Sequence, residues 1–220
     1  MVRMMGWMNG DKLESKMALI RHPANVIVSG PSQSGKTWWI QKLISTPNLI
    51  SPRPTRILYY YSQWQPLFTT MKGVEFYKGL PRELPEEGKP VLIILDDLLD
   101  LCAGNKDITN LFVRGTHHLN LTVVLVCQNL FEKNLRTISL NTHYFIIMRS
   151  PRARSQIAIL ASQMYPKQSR FVVSAYDDIS SSQQGYTYLF LDLKPDTPEQ
   201  LRVRTNVLGE NNMPPFVYLP

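Results

Sequence analysis

The sequence predicts an α/β fold, a mainly parallel central sheet flanked by helices, and three observations predict it. Apolar, β-branched runs alternate with helically spaced apolar residues over most of the chain, the pattern of strands joined through crossover helices. A glycine- and serine-rich turn over residues 30–37 stands directly between such a run and a helical segment. A short apolar run, Val91–Leu95, ends in the adjacent acids Asp96 and Asp97, as buried strands of parallel sheets release polar residues at their carboxyl ends.

Taken in order, the predicted strands are Asn25–Ser29, Arg56–Tyr61, Val74–Tyr77, Val91–Leu95, Thr122–Cys127, His143–Met148, Tyr186–Leu191 and Leu201–Thr205. Each is rich in Val, Ile, Leu or aromatic residues and bounded by turn-forming residues. A helix follows the first strand from about Gly35, with Trp39, Ile40, Leu43 and Ile44 on one face, and stops before Pro47. Another runs from Pro151 to about Met164, capped by Ser150, with Ile157, Leu160, Ala161 and Met164 inward. Segments 47–54 and 78–90, rich in Pro, Gly and charge, read as loops. One domain over 24–206 is expected, with an N-terminal extension (1–23) and a C-terminal tail (207–220).

With 220 residues and 44% hydrophobic content, the chain can bury a full core, which excludes disorder as its main state. Lys and Arg number 24 against 17 Asp and Glu, a net charge of +7 that suits a polyanionic partner or simple solubility. The two cysteines, Cys102 and Cys127, sit in apolar surroundings and read as reduced core residues of an intracellular protein. The first 23 residues are too interrupted by polar groups for a signal or membrane-spanning segment, so no membrane insertion is expected.

The turn reads Gly30-Pro31-Ser32-Gln33-Ser34-Gly35-Lys36-Thr37, a Walker A match in the strand–turn–helix context that gives the motif its meaning. Glycines let the backbone wrap phosphates, and the turn N–H groups and helix N-terminus supply positive potential. Lys36 is placed to reach β- and γ-phosphates, and the Thr37 hydroxyl to bind Mg²⁺, so ATP and Mg²⁺ are the expected ligands. Asp96 fits the Walker B role of holding Mg²⁺. Asp97, one residue on, could orient and deprotonate a water, which a hydrolase needs. Asp100 is better read as a solvated helix start.

Strand Arg56–Tyr61 lies between the Walker A and B strands in sequence, and a later strand ends on Gln128. That is the order of the additional-strand, catalytic-acid P-loop NTPases, a RecA/FtsK-like architecture. There a polar residue at the later strand tip senses the γ-phosphate or places the water, and a side-chain amide both donates and accepts. Residues 104–108 (GNKDI) approach a guanine-specifying motif but place the Asp one residue early, which disfavours a GTPase.

The segments GPSQSGKT, LIILDD, RGTHHLNLTVVLVCQNLF, RTISLNTHYFIIMRSPR, QIAILASQMYP and GYTYLFLDLKPDTPEQLRVRT, with WQPLF at 64–68 and GLP at 79–81, resemble viral genome-packaging ATPases. These belong to the poxvirus-type branch of the FtsK–HerA superfamily, and the resemblance is strongest to those of Polinton/Maverick elements and adintovirus-like viruses. It spans about residues 24–206.

The resemblance implies a homo-oligomeric ring that hydrolyses ATP to drive double-stranded DNA into a preformed capsid, with capsid or portal-vertex proteins as partners. It places the protein inside the virus-infected host cell or in association with the virion. It implies Lys36 and Thr37 on phosphate and Mg²⁺, Asp96 on Mg²⁺, Asp97 as base, Gln128 as sensor, and Arg114 as a finger offered to a neighbouring subunit. Asp97 departs from the Glu that cellular relatives mostly carry, and is one methylene shorter.

Some residues stay open. His117 and His118 suit packing or an interface better than a metal. Arg149, Arg152 and Arg154 suit DNA phosphate, a neighbour's nucleotide or a local carboxylate. Tyr59, Tyr60, Tyr61, Trp38 and Trp39 read as sheet and helix packing in preference to base stacking. The competing functions are a small-molecule, nucleoside-type kinase and an ATP-binding scaffold at a capsid vertex.

Overall fold

In the computed structural model of the chain, a ten-stranded sheet carries the fold in the order β1-β12-β11-β10-β9-β3-β8-β7-β5-β6. The structure describes residues 3–6, 19–85, 88–98, 105–131, 135–181, 185–209 and 215–220. The strands are β1 (Arg3–Gly6), β2 (Ile20–Arg21), β3 (Ala24–Ser29), β4 (Ile50–Ser51), β5 (Arg56–Tyr61), β6 (Glu75–Lys78), β7 (Val91–Asp96), β8 (Leu121–Cys127), β9 (Tyr144–Met148), β10 (Tyr188–Asp192), β11 (Val203–Thr205) and β12 (Phe216–Leu219). The long helices are α1 (Lys36–Ser45), α2 (Ala153–Met164) and α3 (Ser169–Ser181).

Strands β9, β3, β8, β7, β5 and β6 run parallel, and β10, β11, β12 and β1 continue the sheet antiparallel. The reversal has a simple cause. One crossover helix returns a chain to the start of the next parallel strand, whereas α2 and α3 follow each other and pack together. The chain therefore reaches β10 from the carboxyl end of β9, so Tyr188 pairs with Met148. The sheet runs past both expected domain boundaries, since β1 and β12 lie in the 1–23 and 207–220 segments. Within the expected loop 47–54, Ile50–Ser51 pairs in parallel with Ile20–Arg21.

Alternation along the central strands divides the core between two faces. Val26 and Val28 of β3, Leu92 and Ile94 of β7, and Val124 and Val126 of β8 meet Trp39, Ile40 and Leu43 of α1. Ile27, Ile93, Leu95, Val123 and Leu125 face Ile157 and Leu160 of α2 and Val172 and Tyr176 of α3. Each fully buried aliphatic side chain contributes about 1.5–3 kcal/mol, and with both faces covered the middles of the central strands are runs of apolar residues.

Two expectations shift in detail. The helix predicted from Pro151 begins at Ala153, because Pro151 and Arg152 form a turn in which Ser150 Oγ accepts from Arg152 N–H (3.3 Å). Helix α3 was not among the predicted elements, although Val172, Ala175, Tyr176 and Ile179 have helical spacing and are buried.

Candidate nucleotide site

Between the carboxyl end of β3 and the start of α1, the chain makes the turn that the motif predicts. Gly30 must lack a side chain, since a Cβ there would come 2.6 Å from Met148 Cβ and from Ser34 Oγ. Gly35 holds φ at +97°, a left-handed conformation open to glycine, and its Cβ would run into the Tyr186 ring. Ser34 Oγ is buried and has no hydrogen-bond partner among the described residues. The Lys36 ammonium is folded back onto the turn, donating to the Gly30 carbonyl (2.7 Å) and the Pro31 carbonyl (2.9 Å). Burial pushes its pKa down, while Asp96 and Asp97 oppose that shift.

Strand order explains why the acids and the glutamine converge here. β8 lies between the Walker A strand β3 and the Walker B strand β7, so its tip falls between the two motifs. The Gly30 N–H donates to the Cys127 carbonyl (3.2 Å), and the Asp97 N–H to the Val126 carbonyl (3.3 Å). Gln128 follows Cys127 directly, is exposed, and lines the cleft. Asp96 ends β7 with 4% of its surface exposed, and Asp97, exposed, takes a left-handed φ of 54° that turns the chain out of the sheet. A cleft of about 330 Å³ results, lined by Ser32, Gln33, Gly35, Lys36, Thr37, Asp96, Asp97 and Gln128, with Trp38, Gln65, Leu67 and Tyr186.

Asp96 is gripped from beneath. The Tyr59 hydroxyl on β5, buried, donates to Asp96 Oδ2 at 2.6 Å. Burial raises the Asp96 pKa above the usual carboxylate range, Asp97 adds to the rise, and Tyr59 and Lys36 counter it. Burial first, then the Asp96 charge, pushes the Tyr59 phenol far upward, so it remains a donor.

The donor set suits a phosphate-bound divalent ion. A buried carboxylate and a neighbouring hydroxyl are hard oxygen donors, of the kind Mg²⁺ takes alongside phosphate oxygens and waters. No group of three or more His, Cys, Asp or Glu able to hold a metal occurs among the described residues, so a site here needs the phosphates to complete it. The two glycines and the orphaned Ser34 hydroxyl likewise fit a phosphate chain.

Arg114 is not part of this cleft. It is exposed in a π-helical turn, Leu111–Gly115, within a helical stretch from Lys106 to His118. Asn25, near the start of β3, donates to the Phe112 carbonyl of that turn (2.7 Å) and to the Asn141 carbonyl (2.8 Å). The turn is thus tied to the end of β3 opposite the P-loop, on the order of 13 Å along the strand at roughly 3.3 Å per residue. No hydrogen bond or ion pair involves the Arg114 side chain among the described residues.

Arg154 is accounted for by a local carboxylate, since its guanidinium grips Asp177 of α3 through two bonds of 2.9 and 3.0 Å. Arg149 and Arg152 are exposed nearby. Tyr60 and Trp39 are buried packing residues, as expected, while buried Tyr59 also holds Asp96 through its hydroxyl. Trp38 is not simply packing: it lines the cleft, against Tyr186. Gln65, Leu67 and Tyr186 lie in segments that carry the resemblance, WQPLF and GYTYLFLDLKPDTPEQLRVRT, but were given no role at the site; only folding brings them to the turn. His118 is exposed, and Asp100, Cys102 and the His117 side chain lie outside the described residues. No described helix is long and apolar enough to cross a membrane.

The fold has counterparts among solved structures. The chain is similar to the genome packaging NTPase B204 of Sulfolobus turreted icosahedral virus 2, determined with ATP-γS, at 11% identity and a TM-score of 0.50 over 83% of this chain and 96% of that one. The fold is that of a P-loop NTPase. It is also similar to the cytoplasmic domain of the Type VII secretion ATPase EccC of Thermomonospora curvata, at 18% identity and a TM-score of 0.54, over 82% of this chain and 25% of that one. The flagellar accessory protein FlaH of Methanocaldococcus jannaschii matches at 13% identity and a TM-score of 0.50, over 90% and 92% of the two chains. No protein-family model matches the sequence, and no curated protein matches it.

Proposed function

We propose that the protein is a Mg²⁺-dependent ATPase that moves double-stranded DNA, and that it packages a viral genome into a preformed capsid as a homo-oligomeric ring. The observation that carries the enzymatic part is the convergence of Lys36, Thr37, Asp96, Asp97 and Gln128 on one cleft at the P-loop. The packaging part is supported by the sequence resemblance, by the net charge of +7, and by the fold shared with a structure described as a genome packaging NTPase.

Each residue then has a defined task. Lys36, released from the Gly30 and Pro31 carbonyls, binds β- and γ-phosphate oxygens. Thr37 and Asp96 hold the divalent ion, which when bound neutralises charge on the β- and γ-phosphates. Asp97, exposed at the cleft, takes a proton from the attacking water. Gln128 donates to a phosphate oxygen through its amide N–H groups and accepts from that water through its carbonyl. Arg114, outside its own cleft and exposed, completes the site of the next subunit, where its guanidinium offsets charge on the transferred phosphoryl group. The protein acts inside the infected cell, with capsid or portal-vertex proteins as its docking partners.

The test is phosphate release from ATP with and without duplex DNA, beside nucleosides as acceptors. DNA-stimulated release to water supports the motor. Transfer to a nucleoside supports the kinase, and binding without turnover supports the scaffold.

A further inference from the structure

The catalytic residues occupy one end of the cleft, and the other end has a different character. Asp96 and Gln128 belong to the β7 and β8 side of β3, whereas Tyr186 leads into β10, beyond β9 on the opposite side. Trp38 follows Thr37 directly and faces Tyr186, with ring centroids 5.3 Å apart and planes inclined by 44°. Tyr186 is 47% exposed and lines the cleft, although its ring lies against Gly35. The pair is built on a rigid base. One layer down, the same two elements meet through buried Trp39 and Tyr188, at 6.0 Å and nearly edge to face. A tyrosine and a tryptophan side by side at the mouth of a phosphate turn offer π-faces to a planar ring.

We infer that Tyr186 and Trp38 form the seat of the nucleobase, stacking the base of the bound nucleoside triphosphate while its phosphates run through the Gly30–Thr37 turn toward Asp96 and Gln128. The inference rests on the nucleotide-binding reading of the cleft and adds the part of the ligand that the P-loop does not contact. Stacking recognises the face of the base and not its edge, so the seat contributes affinity and orientation.

The experiment is calorimetric titration of wild type, Tyr186→Ala and Tyr186→Phe with two probes in the presence of Mg²⁺: ATP, and inorganic tripolyphosphate, which has the phosphates and no base. Tyr186→Ala is expected to weaken ATP binding about tenfold, within the range for losing one base–aromatic stack, and to leave tripolyphosphate affinity within about twofold. Tyr186→Phe is expected to bind ATP like wild type, because the ring is kept. Trp38→Ala should repeat the Tyr186→Ala pattern. Equal losses for both probes would overturn the inference, since Tyr186 would then be supporting the turn through Gly35. Unchanged ATP affinity in Tyr186→Ala would overturn it too. If wild type binds neither probe, the phosphate-cleft reading itself fails and the base seat falls with it, a result distinct from the other two.

Discussion

Replacing Tyr59 by phenylalanine removes one oxygen from the interior and keeps the ring that packs against Phe68 (4.8 Å) and Phe76 (5.3 Å). No cavity of consequence opens, so the effect isolates the 2.6 Å bond to Asp96 Oδ2. Hydrogen bonds to charged groups contribute about 1.5–3 kcal/mol, and this one serves a carboxylate that burial already disfavours. At roughly 2–4 °C per kcal/mol for a chain of this size, Tyr59→Phe should lower the thermal midpoint by about 3–12 °C at neutral pH. The sign with pH follows from what the bond does. Tyr59 favours ionised Asp96, so its loss raises the Asp96 pKa further above the usual range and penalises the charged form. The deficit should therefore be largest at neutral pH and shrink as acid protonates Asp96. Circular-dichroism melts at neutral and mildly acidic pH measure both quantities. The same variant should need more Mg²⁺ to reach half-maximal ATP binding, because Asp96 loses the contact that fixes its orientation. An unchanged midpoint, or a deficit equal at both pH values, would refute the reasoning.

Three further outcomes follow from the same geometry. Asp96→Asn should stabilise the ligand-free protein at neutral pH: the raised folded pKa makes the native state bind more protons than the unfolded one, so stability falls as pH rises through that value, and the amide removes the fall. The variant should also lose the extra thermal stabilisation that Mg²⁺ gives with ATP. Asp97→Asn should bind ATP and Mg²⁺ like wild type in equilibrium titrations while phosphate release drops by about two to four powers of ten, the usual range for a general base. Arg114→Ala should bind ATP yet hydrolyse it about three to five powers of ten more slowly. Mixing it with Lys36→Ala subunits should restore some turnover at shared interfaces; full activity of Arg114→Ala alone would end the trans assignment.

What was legible in the sequence divides along a physical line. The P-loop and the strand ending in Asp96 are local: glycine spacing and an apolar run followed by acids encode them within a few residues. The parallel core was legible because doubly covered strands are near-continuously apolar, as Val91–Leu95 and Val123–Cys127 are. Strand direction is not local. The antiparallel β10 follows from counting two helices after β9, and α3 was passed over although its buried residues recur at helical spacing. The Tyr59 bond to Asp96 depends on register, since Tyr59 and Asp96 are not direct partners on β5 and β7; Tyr61 is the residue opposite Asp96. Tyr186 and Gln65 reach the cleft through elements far from the P-loop in sequence. Trp38 was read as packing in preference to base stacking, whereas the fold sets it in the cleft against Tyr186.

The most direct test of the central claim is steady-state phosphate release from ATP by wild type and by Lys36→Ala, each with Mg²⁺ and with and without duplex DNA. Wild type should hydrolyse ATP only with Mg²⁺ and faster with DNA, and Lys36→Ala should release none above background, because the one mobile cation of the P-loop is gone. Undiminished release by Lys36→Ala would contradict the account.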